Sequence, residues 1–261
     1  FKELQPKINS VSGTEFRGVT HQVMNGEDYL VASVWKSYTQ VANSIVFQYS
    51  NISQSFAQIS TFSAPGQVWG MSIFAAGVSN YYLLVSDYMT SNYKPGLFKW
   101  NVATQIFERK ITLTTTSQSM SWEHFTVEGI HYAIVANTVP YTGNSDLYQF
   151  DASNEELTKI QSIGPQEAAQ NWKYFNIDGV HYLALANGGA GVHTNNWNPT
   201  SKIYLFDPVT KKLKTPAYQE IPTKENIKWE YFSIGSDHFL CAVIFRTNRI
   251  NVGNDQYSQS S

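Results

Sequence analysis

Residues able to do chemistry recur at fixed intervals along this 261-residue chain. Three histidines each stand directly before an aromatic residue: His131, His181 and His238. A catalytic residue has no reason to recur in every copy of a repeat, whereas a residue that stabilises a turn does. We therefore expect these histidines to be structural, together with His21 and His124, and we single out His193, which has no counterpart in the other copies.

Paired carboxylates are the second candidate for chemistry, because glycoside hydrolysis needs two carboxyl groups about 5 to 10 Å apart. Glu123 and Glu230 each follow a tryptophan at the same repeat position, but Lys173 takes this position in the copy between them. The sequence has no Gly-x-Ser-x-Gly nucleophile motif, no metalloprotease helix motif and no phosphate-binding loop motif. We therefore predict no catalytic residues and no enzymatic activity.

Metal binding is the third candidate. Asp87, Asn137 and Asn187 end corresponding strands, and their oxygen atoms are ligands that Ca²⁺ accepts. The alternative is that these side chains bond to nearby backbone, as Asn and Asp often do at strand ends. We therefore expect no cofactor and keep these three residues as weak Ca²⁺ candidates. Cys241 is the single cysteine, so no internal disulfide can form, and its register with buried strand positions predicts a buried, unreactive thiol.

Loops after the second strand of each copy carry the strongest signal for binding. They vary in length and hold aromatic residues beside small polar ones, a mixture that suits stacking on sugar rings and equally suits a protein interface. The candidate ligand-binding residues in and beside these loops are Trp35, Tyr38, Asp87, Tyr88, Tyr93, Asn137, Tyr141, Asn187, His193, Asn196, Trp197 and Arg246.

A repeat of about 50 residues positions all of these candidates. Residues 122–137 read WEHFTVEGIHYAIVAN, and residues 172–187 read WKYFNIDGVHYLALAN. Five copies of this pattern can be aligned, each with about four short alternating strands and no helical periodicity. Four-stranded units repeated around an axis form a β-propeller. The sequence therefore predicts an all-β, five-bladed β-propeller of four-stranded antiparallel blades.

The predicted propeller is a single domain over residues 1–261. Its blades span approximately residues 14–62, 63–116, 117–165, 166–223 and 224–261. The last copy stops before its fourth strand, while residues 1–10 resemble a fourth strand without a blade. We therefore expect the N-terminal strand to pair with the C-terminal blade and close the ring, which removes an exposed sheet edge.

Bulk composition excludes several classes of partner. Charged residues make up only 15% of the chain and the net charge is −2, so no basic surface for nucleic acid or anionic lipid is expected. No apolar run reaches the ~20 residues needed to cross a bilayer. The start at Phe1 and the sequon Asn51-Ile52-Ser53 favour a processed, secreted or cell-surface chain that is glycosylated at Asn51.

The repeat resembles the EAR repeat, also called the epitempin or EPTP repeat, of the leucine-rich glioma-inactivated proteins and related extracellular receptors. The resemblance lies in a Trp-x-x-Phe start, a Gly-x-x-Tyr turn and an Ala-Asn end, and residues 172–221 fit best. The first two copies depart from it, since Val19 replaces tryptophan and Ser33 and Ser86-Asp87 replace Ala-Asn. Some members of this family have seven repeats, so five repeats is a departure.

The resemblance implies a non-enzymatic extracellular recognition propeller. Its ligand would be a carbohydrate, as for a lectin, or an extracellular protein, held by loops on one face. The alternative is a glycoside hydrolase of the five-bladed propeller type, with carboxylates in the central channel. A third hypothesis is a structural matrix element without a small ligand.

Overall fold

A computed structural model of the chain describes residues 15–35, 43–64, 67–88, 95–113, 118–139, 143–188 and 199–244. Within these ranges the chain forms 19 β-strands and no helix. The strands group into five antiparallel sheets that follow one another along the sequence.

The first three sheets each contain four strands in sequence order. The first sheet is formed by β1 (Glu15–Met24), β2 (Glu27–Trp35), β3 (Ser44–Ser50) and β4 (Ser55–Phe62). The second sheet is formed by β5 (Met71–Ala75), β6 (Tyr81–Val85), β7 (Gly96–Asn101) and β8 (Ile106–Thr112). The third sheet is formed by β9 (Gln118–Val127), β10 (Ile130–Val139), β11 (Ser145–Asp151) and β12 (Glu156–Ile163).

The fourth sheet differs at its outer edge. It is formed by β13 (Ala169–Ile177), β14 (Val180–Asn187), β15 (Thr200–Asp207), β16 (Lys212–Leu213) and β17 (Gln219–Pro222). Both β16 and β17 pair with β15, so the fourth strand of this blade is split into two pieces. Pro216 lies between the pieces, and a proline has no N–H to donate to the ladder.

The fifth sheet contains β18 (Asn226–Ile234) and β19 (Asp237–Ile244) within the described residues. The strand expected in residues 1–10 lies outside the described part of the chain, and closure of the ring by this strand stays a prediction.

Two-residue turns with glycine at the second position join the first and second strands of three blades. The turn residues are Asn25-Gly26, Glu128-Gly129 and Asp178-Gly179, and all six have positive φ. Positive φ at both positions is the type I′ geometry, whose twist matches that of the flanking strands. The glycine in the repeat therefore fixes the hairpin register that all later positions depend on.

The blades pack through large side chains on their first strands, and we call the position of Trp172 and its counterparts the wedge position. Trp172 on β13 is fully buried, packs on Tyr204, and donates a hydrogen bond from Nε1 to Oγ of Ser145 in the preceding blade at 3.0 Å. Farther along the same strands, Phe125 stacks on Tyr174 of the next blade at 4.9 Å between ring centroids. The first strands of consecutive sheets are neighbours from β1 to β18. The sheets are therefore propeller blades with their first strands innermost.

The wedge is imperfect in the first blades. Met71 holds the register position of Trp172, and Oγ of Ser44, the counterpart of Ser145, is buried without a hydrogen-bond partner. In the next interface Trp122 is present, but Pro95 holds the serine position and Nε1 of Trp122 has no partner. In the last interface both residues are present, but Oγ of Ser201 contacts Thr223 and Asn226, and Nε1 of Trp229 has no partner. Among these described interfaces the hydrogen bond thus forms at Trp172 alone.

The expectation of a buried thiol at Cys241 is wrong, because Cys241 is exposed. It lies on β19, and its neighbours on the same strand face, Phe239 and Val243, are 41% and 42% exposed. Within the described residues no further strand pairs with β19 beyond its hairpin partner.

Candidate ligand-binding cavity at the ring centre

A cavity of about 820 Å³ lies where the first strands of all five blades meet. One residue from the same register position of each first strand lines it: Thr20, Ser72, Glu123, Lys173 and Glu230. Side chains alternate along a strand, so the residue after each wedge position points away from the blade interface. This one repeat position therefore contributes a residue from every blade to the lining, and it is Glu in two blades and Thr, Ser and Lys in the other three.

The mouth of the cavity is aromatic. The rings of Trp69 and Tyr88 are 5.2 Å apart, and the guanidinium of Arg17 lies 4.9 Å from the centre of the Trp69 ring. The backbone N–H of Tyr88 donates to the carbonyl of Gln67 at 2.9 Å, which fixes Tyr88 just after the end of β6. First strands begin on the face where second strands end, so the mouth opens on the side of the predicted binding loops.

Three charged side chains lie together in the cavity lining. Nζ of Lys173 lies 3.2 Å from Oε2 of Glu230, and Nζ of Lys228 lies 2.5 Å from its Oε1. Burial alone would raise the pKa of Glu230, but the hydrogen bonds and charges of Lys228 and Lys173 outweigh it and lower that pKa. Glu230 is therefore a carboxylate at neutral pH, shared by two ammonium groups.

Glu123 is in a different environment. Burial raises the pKa of its carboxyl to about 7, although the backbone N–H of Tyr174, which donates to Oε1 at 2.9 Å, and the charge of Lys173 act in the opposite direction. Near neutral pH this group exchanges between the neutral and charged forms. Two glutamates at one repeat position thus have pKa values that their surroundings displace in opposite directions.

Strand-end residues predicted to bind ligand or metal are buried in the blades. Nδ2 of Asn137 donates to the carbonyl of Asn144, and Nδ2 of Asn187 donates to the carbonyl of Thr200, each at 2.8 Å. The N–H of Asp87 donates to Oγ of Ser119 at 2.8 Å, and the Asp87 side chain is fully buried. These three residues are absent from the described lining of the cavity. These hydrogen bonds use N–H donors, so the Ca²⁺ candidacy of their side-chain oxygens stays a prediction.

The remaining predicted residues divide into two groups. Tyr88 lines the cavity mouth, Trp35 ends β2, and Asn51 is exposed in the turn between β3 and β4. The predicted residues outside the described part of the chain are Tyr38, Tyr93, Tyr141, His193, Asn196, Trp197 and Arg246. In the described ranges, no group of three or more His, Cys, Asp or Glu side chains is placed to hold a metal ion.

The repeated histidines have structural contacts, as expected. Nδ1 of His181 is 2.8 Å from the Tyr174 hydroxyl, and Nδ1 of His238 is 2.6 Å from the Tyr231 hydroxyl. In the third blade a second histidine replaces this tyrosine, and Nε2 of His124 is 3.0 Å from Nδ1 of His131. These contacts join the first and second strands of the third, fourth and fifth blades.

Sequence reasoning missed Trp69 and Arg17, and it examined Glu123, Lys173 and Glu230 only as possible catalytic residues. A usable signal was present, because Lys173 and the two glutamates hold one aligned position. Arg17 precedes this position on β1, and Trp69 lies just before β5, in blades where the repeat motif is weakest.

The chain matches the family model of the EPTP domain at residues 106–151, 156–207 and 217–248. It is 36% identical over 152 residues to the mouse thrombospondin-type laminin G domain and EAR repeat-containing protein. This match covers 55% of the chain and 22% of the mouse protein, so the chain spans about a fifth of this relative.

Solved structures share the fold at low sequence identity. A putative 6-phosphogluconolactonase from Bacteroides uniformis matches with a TM-score of 0.61 and 13% identity, over 87% of this chain and 62% of that chain. An exo-β-1,3-galactanase from Phanerochaete chrysosporium, solved with β-1,3-galactotriose, matches with a TM-score of 0.56 and 11% identity, over 86% of this chain and 55% of that chain. None of the described residues forms a helix long and apolar enough to cross a membrane.

Proposed function

Because this chain belongs to the EPTP, or EAR, repeat family, we propose that it is a non-enzymatic extracellular recognition module that binds a carbohydrate. The observation that carries the proposal is the central cavity, which combines an aromatic mouth with hydroxyl, carboxylate and ammonium groups. Cavities of roughly 300–1,000 Å³ hold small ligands, and a few convergent polar groups orient the bound ligand. A volume of about 820 Å³ therefore accommodates one or two sugar rings.

The predicted loop residues extend this site. Tyr88, one of them, lines the cavity mouth, and the described second strands of the other blades end on the same face. The site would therefore begin in the cavity and continue onto loop residues such as Trp197 and His193. Secretion or display at the cell surface follows from the same proposal, and the exposed turn position of Asn51 leaves it accessible to a glycosyltransferase.

A glycan array with a matched pair of tyrosine variants tests the proposal. Tyr88→Ala removes an aromatic ring from the cavity mouth, and loss of one stacking contact of about 0.5–1.5 kcal/mol weakens binding roughly two- to twelve-fold. Tyr218→Ala is the control, because Tyr218 is an exposed tyrosine on the fourth blade that does not line the cavity. Trp197→Ala tests the outer loops in the same assay.

Two results would contradict the proposal, one for the ligand and one for the site. One is an array without any binder beside a pull-down that recovers an extracellular protein, which would assign the face to a protein ligand. The other is equal glycan binding by wild type, Tyr88→Ala and Trp197→Ala, which would remove the cavity mouth and the loop from the site.

Glycoside hydrolysis is the second candidate function, and one observation favours it. Glu123 and Glu230 both line the cavity, with one pKa raised and the other lowered, which is the pattern of an acid and a carboxylate acting together. The two lysines that neutralise Glu230 weigh against it, because they occupy the carboxylate oxygens. A panel of nitrophenyl glycosides decides the question, since hydrolysis by wild type that is lost in both Glu123→Gln and Glu230→Gln would establish the enzyme.

A further inference from the structure

We propose that the central cavity selects an anionic sugar residue, one that carries a carboxylate or sulfate group, over a neutral sugar. This inference rests on the proposed function, because it names the ligand class of the same cavity. It follows from the charged side chains that β1, β9, β13 and β18 bring into one cavity.

The described cavity lining has more cationic than anionic groups. Arg17, Lys173 and Lys228 are the cations, and Glu123 and Glu230 are the carboxyl groups. Lys173 and Lys228 share the single carboxylate of Glu230, so this trio has a net charge of +1. An ammonium group has three N–H donors, and the carboxylate contact uses only part of them. Donors on both lysines therefore remain for an anionic ligand.

Glu123 offsets less of this charge than an exposed glutamate would. Its carboxyl group accepts a hydrogen bond from the backbone N–H of Tyr174 and interacts with the charges of Lys173, Lys228 and Glu230. Burial raises its pKa to about 7. With Glu123 protonated, Lys173, Lys228, Glu123 and Glu230 together have a net charge of +1. With Glu123 ionised, their net charge is zero. These four groups therefore attract anions more strongly when Glu123 is protonated.

The opposite wall fits the rest of a sugar. Thr20 and Ser72 place hydroxyl groups at the register positions that hold charged residues in the other three blades. The rings of Trp69 and Tyr88 lie at the mouth, where an apolar sugar face can pack. A free inorganic anion would contact the lysines but would leave the hydroxyl wall and the aromatic mouth unused. A sugar that carries the anion contacts all three.

Calorimetric titration with four probes tests the inference: glucuronic acid, glucose 6-sulfate, glucose and inorganic sulfate. We expect glucuronic acid or glucose 6-sulfate to bind at least about tenfold more tightly than glucose, the worth of one charge-assisted hydrogen bond. Equal affinity for the anionic sugars and glucose would overturn the inference. Sulfate binding as tightly as glucose 6-sulfate would overturn its sugar part.

Variants assign the effect to the cavity. Lys173→Gln and Lys228→Gln are each expected to weaken anionic sugar binding about tenfold, while Lys212→Gln, an exposed lysine on β16 outside the described lining, leaves it unchanged. Wild type should bind glucuronic acid more tightly at pH 6 than at pH 8, and Glu123→Gln should bind it equally at both. Equal binding by all three lysine variants, or a pH dependence that survives in Glu123→Gln, would contradict the inference.

Failure of the inference and failure of the proposed function give different results. If neutral glycans bind on the array and Tyr88→Ala weakens them, the cavity is a sugar site without selection for anions. If no glycan of any charge binds, the proposed carbohydrate function itself is wrong.

Discussion

Ser145 provides a quantitative test of how the blades hold together. Its Oγ accepts the Nε1 hydrogen bond of Trp172 at 3.0 Å, and both residues are fully buried. Ser145→Ala leaves the indole N–H without a partner in a site that water cannot reach. An unsatisfied buried donor costs about 1–3 kcal/mol. For a domain of this size, each kcal/mol lowers Tm by roughly 2–4 °C, so we expect a decrease of roughly 2–12 °C.

The repeat supplies the matched control. Ser44 occupies the equivalent position in the first blade, is equally buried, and makes no hydrogen bond through Oγ because Met71 replaces the tryptophan. Ser44→Ala removes a buried hydroxyl that lacks a partner, so it should be neutral or should stabilise the fold by up to about 1 kcal/mol. The two substitutions are chemically identical, but the expected changes in the free energy of unfolding differ in sign or by more than about 1 kcal/mol.

Equilibrium urea unfolding followed by tryptophan fluorescence, together with scanning calorimetry, measures both variants. A double-mutant cycle with Trp172→Phe isolates the hydrogen bond, because Ser145→Ala should cost little once the indole N–H is absent. Equal losses for Ser44→Ala and Ser145→Ala would refute the reasoning. A coupling energy of zero between Ser145 and Trp172 would refute it as well.

Three further predictions concern the cavity and the last blade. The pKa of Glu123 is raised to about 7 in the folded protein, so the stability that its protonated form contributes is present below the unfolded pKa and is lost as the pH rises through about 7. Glu123→Gln should therefore gain stability relative to wild type between pH 5 and pH 8. Urea unfolding at both pH values measures this, and a constant difference would contradict it. Gly70→Ala should destabilise the fold by about 1–3 kcal/mol in urea unfolding, because a Cβ there would lie 2.6 Å from the Met120 carbonyl oxygen of the next blade. The control Ser72→Ala should cost less than about 0.5 kcal/mol. Cys241 should react with a thiol reagent in the native state at a rate near that of a free thiol, and protection until unfolding would show that its strand face is covered.

The fold could be predicted from sequence because its determinants are local and repeated. Gly129 and Gly179 specify a hairpin turn, and the alternation of residues 122–137 specifies which side chains enter the blade interface. Each copy repeats the same information, so chance patterns can be separated from real ones by alignment. The split of the fourth strand near Pro216 is a local exception that the alignment overlooked.

The cavity was harder to predict because it has no local signature. Lys173 contacts Glu230 from a strand 57 positions earlier in the chain, and Trp69 reaches the same cavity from a different blade. Cys241 was misjudged for a related reason, since alignment with Ile134 and Ala184 assumes a complete blade around it. Among the described residues, the fifth blade has two strands, and that position is exposed.

The sequence by itself determined the repeat, the β class, the hairpin turns, the wedge residues and the EAR resemblance, because each depends on residue types within about 50 positions of one another. Only the tertiary structure decided what faces the axis. Five strands must first be placed side by side before one variable repeat position becomes a cavity wall. The charge balance of that wall, and the opposite pKa displacements of Glu123 and Glu230, follow from distances between blades that no single repeat contains.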